Sequence, residues 1–124
     1  MDHVERRDRE LAYISDSAVM EEQKICRQIL QKLNFMDRSD FEGIGQVVKE
    51  LIHTTGAAFI NPPFYCDYGS KIYVGNNFYA NYNCTIIDVA KVTIGANCFM
   101  APNVAIYTAA AGHRNPPRAG NRSR

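Results

Sequence analysis

The stretch Ile72-Tyr73-Val74-Gly75-Asn76-Asn77-Phe78-Tyr79-Ala80-Asn81-Tyr82-Asn83-Cys84-Thr85-Ile86-Ile87 has apolar residues that recur neither every 3.6 residues, as on a helix, nor every second one, as on a simple strand. The period is six. Every sixth residue from Tyr68 gives Val74, Ala80, Ile86, Val92, Cys98 and Val104, a column with no charged member. A second column, Ile60, Cys66, Ile72, Phe78, Cys84 and Ala90, runs two residues earlier, and Ile94, Met100 and Ile106 continue two residues later.

A hexapeptide period has a geometric meaning. Three short strands of six residues close one triangular coil, coils stack through parallel-strand hydrogen bonds, and each column becomes a ladder inside the prism. Corners need left-handed backbone, which glycine and asparagine supply, and Gly75-Asn76-Asn77 and Gly95-Ala96-Asn97 stand at equivalent places. An antiparallel meander also suits Val, Ile, Tyr and Phe, but it predicts alternation with irregularly spaced turns. The expected fold class is therefore mainly β, a left-handed parallel β-helix over residues 57–109.

Upstream the pattern is helical. Ala18, Val19, Ile25, Cys26, Ile29, Leu30 and Leu33 predict an amphipathic helix over 15–34, with Ser15 or Asp16 as its N-cap. Ser39-Asp40-Phe41-Glu42 reads as a capping box, opening a second helix through Ile44, Val47, Val48, Leu51 and Ile52 that Thr54-Thr55-Gly56 ends. Residues 1–56 thus form a small helical domain. Residues 110–124 carry four arginines and no acid, and read as a disordered basic tail.

Bulk composition narrows the function classes. The 124 residues suit one domain, and 14 basic against 13 acidic residues suggest neither nucleic-acid nor membrane-surface binding. The charged start Met1-Asp2-His3-Val4-Glu5-Arg6-Arg7 lacks a secretory apolar run, and no segment is apolar enough to span a bilayer, so a cytoplasmic protein is expected. Cys26, Cys66, Cys84 and Cys98 have no zinc-type spacing and read as reduced core residues, with no metal expected.

Four ordered motifs carry a resemblance: Pro62-Pro63-Phe64-Tyr65-Cys66-Asp67-Tyr68-Gly69, Ile72-Tyr73-Val74-Gly75-Asn76-Asn77-Phe78, Ala80-Asn81-Tyr82-Asn83-Cys84 and Ala101-Pro102-Asn103-Val104. Together they resemble the maltose, galactoside and nodulation-type sugar O-acetyltransferases of the hexapeptide-repeat superfamily. Leu11-Ala12-Tyr13, Asp16, Arg27 and Leu33-Asn34-Phe35 resemble that family's N-terminal helical domain, so the match runs from about residue 10 to 110.

The resemblance implies a homotrimer with active sites between subunits, a sugar acceptor held by the helical domain and first coils, and acetyl-CoA as co-substrate along later coils. It implies a histidine general base, which suits the chemistry: an imidazole with a pKa of about 6.5 can take the proton of a sugar hydroxyl as it attacks a thioester. It implies that Asn81 assists the reacting centre, that Tyr79 lines the acceptor pocket, and that Asp67, Asp16 and Arg27 contact acceptor hydroxyls.

The candidate base is His113, which stands about two residues later than the family's Thr-(Ala/Gly)-His-Pro stretch and is followed by Arg114 rather than proline. Beyond it no hexads follow, so the family's later coils and their CoA contacts are expected to be missing. The alternative to the enzyme is an inactive β-helix module that acts only in oligomerisation. A zinc enzyme on the same prism, of the γ-carbonic anhydrase type, needs three histidine ligands, and the coil region offers only His113.

Overall fold

In a computed structural model the structure describes residues 1–108. Three helices come first: α1 (His3–Asp8), α2 (Ser17–Asn34) and α3 (Phe41–Leu51). Nine short strands follow: β1 (His53–Thr54), β2 (Ala58–Ile60), β3 (Phe64–Cys66), β4 (Ile72–Val74), β5 (Phe78–Ala80), β6 (Cys84–Ile87), β7 (Val92–Ile94), β8 (Phe99–Met100) and β9 (Ala105–Tyr107).

The helix starts follow from local chemistry. Asp16 caps α2 by accepting the Val19 N–H at 3.1 Å, as expected. In α3 the cap is Asp40 rather than Ser39 of the expected box, because the Asp40 carboxylate reaches the Gly43 N–H at 2.9 Å. The Ser39 hydroxyl instead donates to Asp37 at 2.7 Å. The short α1, not foreseen, is tied down by Arg7, whose side chain is only 2% exposed. Arg7 pairs with Asp8 at 2.8 Å and Glu22 at 2.9 Å and lies 4.2 Å over the Tyr68 ring.

The strands form three parallel sheets, β1-β4-β7, β2-β5-β8 and β3-β6-β9, the three walls of a left-handed β-helix. The prism already begins at His53, since β1 pairs with β4. Register partners such as Ala58 and Phe78, Phe64 and Cys84, or Ile72 and Val92 are all 20 residues apart, so one coil takes 20 residues, not the 18 that three hexads give.

The two extra residues sit at the corner between the third and first walls, at 67–71 in one coil and, where β6 runs one residue longer than β3, at 88–91 in the next. Six-residue spacing survives across this corner because each three-residue strand points two side chains inward. The step from Ile86 to Val92 merely changes which inward position is read. In space the ladders run Ile60-Ala80-Met100, Cys66-Ile86-Ile106 and Val74-Ile94, which is why the apolar columns shift by two along the sequence.

Ile60, Phe64, Ile72, Ala80 and Cys84 are fully buried in that interior. Tyr68, read as the first rung of a column, is buried elsewhere: it packs with Val19 and Val89 under the helices. The other two corners use asparagine as expected, with Asn77 and Asn97 at φ 65° and 61°, and Asn83 and Asn103 at φ 61° and 64°. Gly75 serves a different need, for a Cβ there would lie 2.7 Å from the Ala96 nitrogen of the next coil.

The helices close the first end of the prism. Ile44, Val47, Val48 and Leu51 of α3 pack on β2, and α2 lies against α3 and β3. At β3 the Asn34 side chain stands in for a neighbouring strand, donating to the Phe64 carbonyl and accepting its N–H, both at 2.9 Å.

A candidate acceptor cleft between a helix and the third wall

The packing of α2 against β3 leaves a cleft of about 840 Å³. Gln23, Arg27, Gln31 and Asn34 line it from the helix, Arg38 from the following loop, and Pro63, Tyr65, Cys66 and Asp67 from the β3 segment. Asn34 and Arg38 are committed to the wall, Arg38 donating to the Pro62 carbonyl at 2.7 Å. Among the described residues Arg27 makes no ion pair, so its exposed guanidinium is available to a ligand.

Asp67 is the acid of the cleft. Burial, and then the charge of Asp88, hold its carboxyl above the usual range, while Arg27 pulls it part of the way back. The Asp67 carboxyl, the uncommitted guanidinium of Arg27, side-chain amides and the exposed Tyr65 ring together offer donors, acceptors and a stacking face to a polyhydroxylated molecule.

Of the site residues expected from sequence, the structure thus brings Arg27 and Asp67 into one cleft. Tyr79 and Asn81 share a different place, the outer face and end of β5. The Tyr79 ring lies between Phe59 and Phe99, with centroids 6.3 Å away on each side, and its hydroxyl accepts from the Asn61 amide. Asn81 donates its N–H to the Met100 carbonyl at 3.0 Å, and its Oδ1 accepts the Tyr82 N–H at 2.8 Å. Asp16 is occupied as the cap of α2, and none of these three lines the cleft. His113, the basic tail 110–124 and the last residue of the expected prism lie outside the described residues.

Asp88 was missed. It is fully buried, yet its carboxylate takes three backbone N–H groups, from Asp67 and Tyr68 on Oδ1 and from Gly69 on Oδ2, at 2.8–3.0 Å. The available signal was an acid set inside the apolar run Ile86-Ile87-Asp88-Val89-Ala90. The cysteines are free thiols, three buried and Cys98 half-buried, and Cys26 and Cys66 lie 3.5 Å apart at sulfur. Among the described residues no cluster of three or more potential ligands could hold a metal, and no helix is long and apolar enough to cross a membrane.

No family model matches the chain. The galactoside O-acetyltransferase of Escherichia coli K12 is 42% identical to it over 81 residues, which cover 64% of this chain and 40% of that protein. A maltose O-acetyltransferase from Clostridium difficile 630 superposes with a TM-score of 0.84 at 33% identity, over 87% of this chain and 59% of that one. A galactoside acetyltransferase in complex with coenzyme A does so with a TM-score of 0.79 at 34% identity, over 85% and 54%. The chain spans about two fifths of the length of the curated relatives it matches. In sequence and in fold, over the part it covers, it is a relative of the galactoside and maltose O-acetyltransferases.

Proposed function

We propose that the chain supplies the acceptor side of an acetyl-CoA-dependent O-acetyltransferase that acts on a sugar hydroxyl. The observation that carries this reading is the presence of both Asp67 and Arg27 in the lining of one 840 Å³ cleft, in a chain akin to galactoside and maltose O-acetyltransferases. A carboxylate accepts hydrogen bonds from sugar hydroxyls, a guanidinium donates to them, and an aromatic face such as that of Tyr65 covers the apolar side of a sugar ring.

The reaction itself needs a base and a thioester. In this reading His113 takes the acceptor hydroxyl proton as its oxygen attacks the thioester carbonyl. The tetrahedral intermediate then collapses, expelling the CoA thiolate, which recovers the proton from the imidazolium. Asn81 assists at the reacting centre, Tyr79 and Asp16 border the acceptor, and acetyl-CoA is the co-substrate. The assembly is a homotrimer working in the cytoplasm, without a metal.

The decisive experiment follows free thiol release from acetyl-CoA by the purified chain with glucose, maltose and a β-galactoside in turn. Acceptor-dependent release that disappears in Arg27→Ala and His113→Ala supports the reading. Release that is independent of acceptor, or absent from a chain that also binds none of the three sugars, overturns it and leaves the non-enzymatic module.

A further inference from the structure

The long corner between the third and first walls is where the candidate site meets a residue with no assigned role. Asp88 is 0% exposed, and three consecutive backbone N–H groups, those of Asp67, Tyr68 and Gly69, converge on its carboxylate. Burying a carboxylate is costly unless its oxygens are bonded, so these contacts hold the turn as firmly as the turn holds the acid. Gly69 completes the turn at φ 72°, and Val89, beside Asp88, packs on Tyr68 and Val19.

The first residue of that turn is Asp67, which lines the cleft. Among the described residues the Asp67 carboxyl accepts no hydrogen bond, so its aim is set by the backbone that carries it. That backbone is fixed by Asp88 from the following coil.

We propose that Asp88 is a positioning residue for acceptor recognition: through the 67–69 turn it holds Asp67 opposite Arg27 in the cleft. The inference rests on the acceptor-site reading above. It assigns Asp88 no contact with the acceptor. The charges facing Asp67 are Arg27 from α2 and Asp88 from the next corner, and the titratable Tyr13 and Cys66 also sense it.

Asp88→Asn keeps the size of the side chain but turns an amide donor toward one of the three N–H groups. Expected is a rise in the acceptor KM on the order of tenfold, the scale of one misplaced hydrogen bond, with kcat and the acetyl-CoA KM within about twofold. In an Asp67→Asn background the same change should add little, because Asp88 acts through Asp67. A buttress that is only structural would lower the unfolding midpoint and leave the acceptor KM unmoved, and that result overturns the proposal. Should Asp88→Asn fail to fold, Val89→Ala loosens the same corner and is expected to raise the acceptor KM by less; an unchanged KM there overturns it equally.

Carboxyl ¹³C titration of Asp67 separates the two levels of inference. In Asp88→Asn its midpoint should move down, since the neighbouring negative charge is gone. A wild-type chain that neither binds a sugar nor transfers an acetyl group to one refutes the acceptor reading and with it the role in recognition. An unmoved Asp67 titration refutes the link between residues 88 and 67 whatever the activity.

Discussion

The Asn77 amide donates to Oδ1 of Asn97 at 3.1 Å, one full coil along the chain. Both residues hold left-handed backbone, a conformation costing an ordinary side chain about 1–2 kcal/mol. Asn77→Ala and Asn97→Ala are therefore each expected to destabilise the prism by about 1–2 kcal/mol, whereas the glycine variants lose only the side-chain bond and cost less. Urea unfolding followed by circular dichroism measures the difference, and alanine variants no weaker than glycine would contradict the corner geometry.

Ile60 and Ile86 are at most 1% exposed inside the prism. Truncating either to alanine should cost about 2–5 kcal/mol, the range for buried isoleucine. Truncating the exposed Ile14 or Ile25 should cost far less, so a single set of unfolding curves separates interior from surface.

Arg7 ties α1 to α2 through Glu22 and stacks on Tyr68. Its loss removes packing as well as charge, while its partners Asp8 and Glu22 are 47% and 36% exposed and can turn to water. Arg7→Ala should accordingly destabilise by about 2–3 kcal/mol, below the value for breaking a fully buried pair. Protease cleavage near residue 10 should accelerate in the variant before the prism unfolds.

Asp8 and Asp67 should respond to pH with opposite signs. At Asp8 burial raises the pKa, but hydrogen bonds from Lys71 and Arg7 and their charges outweigh it and leave it lowered. Its contribution to stability is present above the unfolded-state pKa and fades as pH falls through the lower folded value. Asp67 titrates above its unfolded value, so its ionised form is a cost at neutral pH that disappears on acidification. Asp67→Asn should raise the unfolding midpoint at pH 7 and leave it unchanged well below pH 4, while Asp8→Asn should lower it at pH 7 only.

The walls of the prism were legible because Val74, Ala80 and Ile86 are apolar for one reason, an inward orientation that recurs every six residues. The long corner was not. Its two extra residues keep an apolar residue at the sixth place, so the sequence reads smoothly from Ile86 to Val92 while the ladder in space has moved to Ile94. Asp88 escaped notice for a related reason: its partners are backbone amides, which every sequence has and none displays. Arg27 and Asp67 could be joined only through a resemblance, because 40 residues separate them in the chain and the cleft arises from how α2 docks on β3.

The Asn34 amide that satisfies both main-chain groups of Phe64 also gives the solenoid a direction. An extended edge invites any passing strand, including one from another copy. With those two groups taken and α3 lying across β2, the third and second walls are covered at the helical end, so copies of the molecule resist pairing head to head along those walls.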